Sequence, residues 1–309
     1  MLKSLNTAFL FPGQGAQKIG MGQDIALNYQ EAMQVFEQSN HILDVNLSNL
    51  CWKGPKDVLD DTYNTQPALY TCSMAIIAVL QKHSPHFIPH FVAGHSLGEI
   101  TALAAMGSIS FEEGLKLVRE RGRLMKLAGT SNPGGMAAIL NVAHIKLLEI
   151  CEEAQKLSGE YVQIANDNCP GQLVISGESN ALNIAIKLIK KQKSGKAILL
   201  PVSIAAHSPL MSYVSEEYSK TIHSIDFQKP FTKIVGNVDV SIINSVDQIS
   251  DELIKQLTSP VRWRETMEYL ISNNITNFVE IGSGNVLTGL LRRIDKNTNS
   301  IAINDSEAV

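Results

Sequence analysis

The chain has 309 residues, 44% of them hydrophobic and 18% charged, with a formal net charge of −4. That length can bury one large core, or one large core with a small inserted unit. The acidic balance excludes a binder that works by neutralising nucleic-acid phosphates, because no basic field exists to release condensed counterions. No run approaches the ~20 apolar residues needed to cross a bilayer, and the opening MLKSLNTAFLF is too short and too weakly flanked for a signal peptide. The four cysteines, Cys51, Cys72, Cys151 and Cys169, lie far apart with no CxxC pair. That spacing predicts reduced thiols in a cytoplasmic protein.

Apolar β-rich runs alternate with longer helical patterns, which predicts an α/β core with a parallel sheet. The first strand, residues 8–11, runs into Pro12-Gly13-Gln14-Gly15. This loop is not a dinucleotide fingerprint, since Lys18 stands where a third glycine is required, and no Gly-Lys-Ser/Thr follows as in a Walker A loop. It predicts a tight turn that brings backbone N–H groups and the Gln14 amide close to something polar, with a second oxyanion donor as the natural expectation. Further on, His83, His86 and His90 fall in HSPHFIPH. Pro85 and Pro89 break any helical array of ligands there, and no acid or cysteine accompanies them, so a solvated loop is expected over a metal site.

The next strand, 91–93, enters Gly94-His95-Ser96-Leu97-Gly98, which matches the G-x-S-x-G nucleophile elbow. A sharp strand-to-helix turn holds such a serine in a strained backbone conformation, and a side chain at either flanking glycine would meet neighbouring backbone. Ala102, Ala104 and Ala105 let the following helix pack close to the sheet, and the Leu97 N–H at its start is the expected oxyanion donor. A serine hydroxyl needs a general base. Of the eight histidines, His95 is expected to point away across the turn, whereas His207 follows a strand at 197–202 and opens the turn Ala206-His207-Ser208-Pro209. Spacing alone fits either a base or a surface turn histidine.

Residues 111–128 read as an amphipathic helix. Glu112, Glu113, Lys116, Arg119, Glu120, Arg123 and Lys126 gather on one side, and Arg121 alone among the charged residues falls inside the apolar arc. A buried guanidinium without an anion is costly, on the order of 3–5 kcal/mol when a pair is broken. Two partners remain open: an internal Asp or Glu, or a carboxylate carried by a substrate and held bidentately.

The middle of the chain changes pattern. A strand at 136–140 and a helix at 143–157 precede a hairpin, 161–165 and 172–176, around the turn pair Pro170-Gly171. A helix with Ser179 as N-cap then runs to Gln192, and a strand at 196–200 follows. The order βαββαβ is that of a ferredoxin-like unit. It predicts a small inserted domain at residues 130–201, with the large α/β domain built from 1–129 and 202–309. A late strand, 278–281, ends in Gly282-Ser283-Gly284. Three glycine loops at strand ends predict one shared site, since open α/β sheets bind ligands beyond the carboxyl ends of their strands.

Seven motifs in order, FPGQGAQ, GHSLGE, RERGRLM, IANDNCPGQLVISG, AAHSPLM, QLTSPVRW and EIGSGNVLTGLLRRI, make the chain from about Ala8 to Asp295 resemble the malonyl-CoA:acyl carrier protein transacylases of fatty acid synthesis and the related acyltransferase domains of polyketide synthases. The resemblance implies a hydrolase-like α/β core with a ferredoxin-like insertion. It implies Ser96 as the acylated nucleophile, His207 as its base, and the main-chain carbonyl of Gln256 as the group that orients the histidine. Arg121 matches the arginine that binds the free carboxylate of malonate, while Gln14 and the Leu97 N–H fall at the oxyanion positions. The implied partners are malonyl-CoA and acyl carrier protein, met by a monomer with no metal or bound cofactor; Lys187, Lys190, Lys191, Arg292 and Arg293 are candidate contacts for the acidic carrier. There are two departures: Gly-Ser-Gly with Asn285 replaces the usual Gly-Pro-Gly and lysine, and Ile204-Ala205-Ala206 replaces the usual residues before the histidine, a segment that in the family lines the acyl pocket and so leaves acyl specificity open. A single extra methyl is worth only ~1–3 kcal/mol, so some leakage to methylmalonyl groups is expected. A serine thioesterase is the main alternative, and an acyltransferase serving polyketide synthesis the second.

Overall fold

The computed structural model describes residues 6–193 and 195–309. Ten strands are placed: β1 (Thr7–Phe11), β2 (Phe91–Gly94), β3 (Gly134–Leu140), β4 (Val162–Cys169), β5 (Gln172–Glu178), β6 (Lys196–Leu199), β7 (Lys233–Val235), β8 (Ile242–Ile243), β9 (Asn277–Ile281) and β10 (Asn299–Ile303). Six form one sheet in the order β10-β9-β1-β2-β7-β8. Its central pairs are parallel, and only β8 runs antiparallel, on β7. All five residues of β1 are buried, as expected of a strand covered on both faces.

The register explains why the glycine loops meet. Phe11 lies opposite Gly94, and Leu10 opposite Glu280, in neighbouring parallel strands. The chain therefore leaves β9, β1 and β2 at one edge of the sheet. There the Ser283 hydroxyl donates to the Ala16 carbonyl at 2.7 Å, which ties the third loop to the first.

The second sheet is wholly antiparallel, in the order β4-β5-β3-β6. The helices His144–Ser158 and Ser179–Gln192 pack against it with a core that includes Leu147, Ile150, Ala154, Leu182, Ala185 and Ile189. Taken in chain order these are β, α, β, β, α, β with the first and last strands adjacent, the ferredoxin-like arrangement. This sheet lies in sequence between two strands of the large one. One local expectation changes. Ser179 is the first helical residue rather than the cap, and the N-cap position falls to Glu178, which makes no side-chain cap bond. The Glu160 carboxylate takes over, accepting from the N–H groups of Asn180 and Ala181 at 3.0 and 3.1 Å, while Glu178 accepts from the Tyr161 N–H at 2.7 Å.

The long helix Phe111–Ser131 starts at Ser110, whose hydroxyl accepts from the Glu113 N–H at 3.2 Å. Glu112 and Glu113 complement the helix dipole there. Its buried side is Leu115, Leu117, Val118, Leu124, Met125 and Ala128, with Arg121 among them at 1% exposure. All four cysteines are free and buried. Burial pushes every one of these thiols up, Cys72 and Cys151 to about 12, so none is poised as a nucleophile. His83 faces Glu31 at 3.7 Å, and among the described residues no three His, Cys, Asp or Glu side chains gather to hold a metal ion.

Candidate active site

A cavity of about 470 Å³ opens at the edge where the three glycine loops meet. Pro12 to Gln17, His95 to Leu97, Arg121 and His207 line it, with Gln172 and Val174 from the second sheet and Leu287 and Leu290 from the helix Val286–Ile294.

Ser96 stands between β2 and the helix Leu97–Ala105 at φ 52°, ψ −108°. That conformation costs a non-glycine residue of order 1–3 kcal/mol and persists only where its surroundings impose it. Two glycines make room for it. A Cβ on Gly94 would lie 1.9 Å from the Gly98 carbonyl carbon, and one on Gly98 would lie 2.0 Å from the Phe11 oxygen. The Ser96 hydroxyl meets His207 Nε2 at 2.8 Å. The other ring nitrogen, Nδ1, lies 2.9 Å from the Gln256 carbonyl oxygen. A carbonyl only accepts, so Nδ1 carries the proton and Nε2 presents its lone pair to the serine O–H. His207 is itself at φ 58°, and Gln163 Nε2 donates to its carbonyl at 2.6 Å. Burial first, and the Arg121 charge second, push the imidazole down to about 3, so it is neutral at physiological pH.

Arg121 reaches the same hydroxyl. One terminal nitrogen donates to Ser96 Oγ at 3.1 Å and to Gln256 Oε1 at 2.9 Å, and the other donates to Gln66 Oε1 at 3.0 Å. Among the described residues no carboxylate lies within ion-pair distance of it, and its Nε has no partner. The internal ion pair left open by the sequence is absent there. Glu99 lies in the same region, yet burial and the neighbouring Glu252 hold its carboxyl well above the usual range, so it is a poor counter-ion.

Leu97 opens its helix, so its N–H has no carbonyl one turn back. Gln14 reaches the cavity wall, but its side-chain amide donates to Thr62 Oγ1 at 3.0 Å. That bond takes up one of the two N–H groups of the Gln14 side-chain amide. Ser96, His207, Gln256 and Arg121 are thus brought into one bonded set, with Leu97 and Gln14 at its border.

Sequence reasoning missed three members of this set. Gln66, on the helix Thr62–His83, is buried although it closes the polar stretch Thr62 to Gln66 ahead of Pro67, so nothing in the sequence signalled it. Asn237 accepts from the Ser96 N–H at 2.8 Å and donates to the Gly94 carbonyl at 2.7 Å. Gln163, under the histidine, comes from the second sheet. His95 turns away from the serine hydroxyl as expected and bonds Asn168 Oδ1 at 2.9 Å.

An α/β sheet with a serine on a strand–turn–helix corner, a histidine on its hydroxyl and the free N–H of a helix start next to it defines a serine acyl-transfer class of protein. Comparison narrows the class. The chain belongs to the malonyl CoA-acyl carrier protein transacylases, within the acyl transferase domain family, whose profile matches residues 8–303. The transacylase of that name from Bacillus subtilis (strain 168) is 40% identical over 303 residues, covering 98% of this chain and 94% of the relative. The one from Escherichia coli (strain K12) is 37% identical over 302 residues, covering 98% and 97%. Among solved structures, an acyl carrier protein S-malonyltransferase from Vibrio cholerae superposes with a TM-score of 0.93 at 39% identity over 98% of each chain. A malonyl-transacylase solved in complex with its type II polyketide synthase acyl-carrier protein superposes at 0.94, with 37% identity over 98% and 97%.

Proposed function

We propose that this protein moves a malonyl group from malonyl-CoA to the phosphopantetheine thiol of an acyl carrier protein, through an ester on Ser96. The observation that carries this reading is the unpaired, buried Arg121 only 3.1 Å from the serine hydroxyl. A guanidinium that close to the attacking oxygen suits an acyl group whose own carboxylate lies two carbons from the carbonyl under attack. A longer diacid would overshoot it, and a neutral acyl group would leave the charge unanswered.

In the first half-reaction, Ser96 Oγ attacks the thioester carbonyl as its proton passes to His207 Nε2. Charge builds on the carbonyl oxygen beside the Leu97 and Gln14 N–H groups. The C–S bond then breaks, the imidazolium returns its proton to sulfur, and coenzyme A leaves. In the second half, the carrier thiol gives its proton to His207 and attacks the ester; Ser96 leaves and takes that proton back. The Gln256 carbonyl holds the imidazolium in both halves. Coenzyme A and phosphopantetheine enter as parts of the substrates, and these steps call on no separate cofactor.

The carrier meets the rim beside Gln172. Arg293 donates there to Gln172 Oε1 at 3.1 Å and to the Pro170 carbonyl at 3.0 Å. Lys190 and Lys191 lie at the end of a helix whose following strand is in register with that hairpin through Leu140. Among the described residues no helix is long and apolar enough to cross a membrane. The protein is expected to work as a monomer in the cytoplasm, on fatty acid synthesis. The test is a transfer assay with malonyl-CoA and phosphopantetheinylated carrier: malonyl-carrier and free coenzyme A are expected in equal amounts. Free malonate in place of malonyl-carrier would replace this reading with a hydrolase.

A further inference from the structure

The Ser96 corner is held by groups that the reaction as written does not use. Ser96 occupies the N-cap position of the helix Leu97–Ala105, where serine ordinarily turns its hydroxyl onto the helix's free N–H groups. Here it makes no such bond, because the hydroxyl is engaged by His207 and Arg121. The corner's backbone is satisfied from elsewhere. The Ser96 N–H donates to Asn237 Oδ1 at 2.8 Å, and Asn237 Nδ2 donates to the Gly94 carbonyl at 2.7 Å. One amide therefore bonds the chain on both sides of His95, and Gln256 Nε2 adds a bond to the Ser96 carbonyl at 3.1 Å.

Asn237 is itself fixed. It is fully buried, just beyond β7. Its N–H donates to Glu99 Oε2 at 2.9 Å, and its carbonyl accepts from the Arg262 N–H at 3.1 Å. Glu99 lies on the helix that Ser96 begins, so the bonds close a ring: Ser96 to Asn237, Asn237 to Glu99, and Glu99 through its helix back to Ser96. Behind the ring, Glu252 accepts from the Val238 N–H at 2.8 Å.

We propose that Asn237 is a positioning residue for the acyl transfer: its side-chain amide holds Ser96 in the backbone conformation that aims the hydroxyl at His207 and sets the Leu97 N–H beside it. Neither a donor nor an acceptor alone meets this need. The Ser96 N–H requires an acceptor and the Gly94 carbonyl a donor, and a planar amide offers both at once. The inference rests on the acyl-serine reading, and the experiment keeps the two separable.

The test compares wild type with Asn237→Ala and Asn237→Asp, measuring the single-turnover rate of acyl-enzyme formation from malonyl-CoA, per folded molecule, from pH 5 to 8. Thermal unfolding and circular dichroism give the folded fraction. Asn237→Ala is expected to lower the maximal rate about 10²-fold, the size of a lost transition-state donor, with the half-saturating malonyl-CoA concentration changed less than threefold. Asn237→Asp carries the decisive readout. Its ionised form has no donor for the Gly94 carbonyl, whereas its protonated form restores both bonds. The charged groups around the position are Glu99 from the elbow helix, Glu252 from the helix Val246–Gln256, and Asp239 and Arg262 from the adjoining chain, with Arg121 beyond Gln256. Burial raises an acid placed at this fully buried position, and those neighbouring carboxyls that are ionised raise it further. The Asn237→Asp rate, relative to wild type, is therefore expected to climb at least tenfold from pH 8 to pH 5. Rates within twofold of wild type, losses explained wholly by unfolding, or an Asn237→Asp variant equally slow at every pH would overturn the proposal. Absence of an acyl-enzyme in wild type would instead overturn the reading on which it rests.

Discussion

Arg121 donates a hydrogen bond to Ser96 Oγ at 3.1 Å while buried to 1% exposure. A cation left without an anion in that position is costly to the folded protein unless the site spends part of its cycle with a carboxylate bound. Substrate selection and the stability of the empty site are thus coupled through one guanidinium. Arg121→Ala is expected to cut malonyl-CoA kcat/KM by between roughly 30- and 5,000-fold, from the ~2–5 kcal/mol lost when a buried charge pair loses one partner. Acetyl-CoA, which carries no carboxylate, is expected to lose less than tenfold. Steady-state kinetics with both thioesters checks the difference, and equal losses would contradict a carboxylate clamp.

The lowered His207 has consequences for pH. With the imidazole pushed down to about 3, free-enzyme kcat/KM is expected to stay flat from pH 8 to pH 5, with no acid limb near the ordinary histidine value of about 6.5. Stability follows the same group. Between about 3 and 6.5 the unfolded chain binds a proton that the folded chain does not, so stability falls as pH drops through that window, by at most about 1.4 kcal/mol per pH unit. Denaturant titrations at pH 7 and 5 measure the slope, and His207→Gln is expected to flatten it.

Gln14 separates side chain from backbone. Its amide is committed to Thr62, so Gln14→Ala is expected to slow transfer by no more than about tenfold. A loss of ~10²–10³, the size of a missing oxyanion donor, would place the side chain itself against the reacting oxygen.

Gly98→Ala puts a methyl 2.0 Å from the Phe11 carbonyl oxygen, a backbone atom that cannot turn aside. Overpacking of this kind costs typically 1–3 kcal/mol, and the strained corner is where it is felt. Acyl-enzyme formation is expected to fall at least 10²-fold, with a lowered thermal midpoint. Unchanged acylation would mean that the corner tolerates a different shape.

For the carrier, the exposed pair Lys190→Glu/Lys191→Glu is expected to lower kcat/KM for the carrier protein about tenfold or more at low salt, with the deficit closing at high salt. The first half-reaction, from malonyl-CoA to enzyme, supplies the control. Equal carrier kinetics at low salt would remove this rim from the docking surface.

Much of the site was legible because its chemistry depends on local chain shape. Gly94-His95-Ser96-Leu97-Gly98 codes its own turn, and Arg121 betrays itself as a charge on an apolar stripe. The βαββαβ order was equally readable, since three of its four strands run seven or eight residues and its hairpin turns on Pro170-Gly171. Less was written in short or edge elements. β7 has three residues, β8 has two, and β10 has one neighbour, too little for a period to register. Asn237, Gln66 and Gln163 were illegible for another reason: each acts across 44 to 141 positions, on a group that only folding brings near. The cap at Ser179 failed similarly, displaced by Glu160 from a neighbouring segment.

The central claim is an acyl group on Ser96, and intact-protein mass spectrometry after brief incubation with malonyl-CoA, without carrier, tests it most directly. A single malonyl adduct is predicted on wild type, absent from Ser96→Ala and weak on Arg121→Ala, and discharged when carrier is added. An adduct that persists in Ser96→Ala, or free malonate accumulating with no adduct on wild type, would contradict the account.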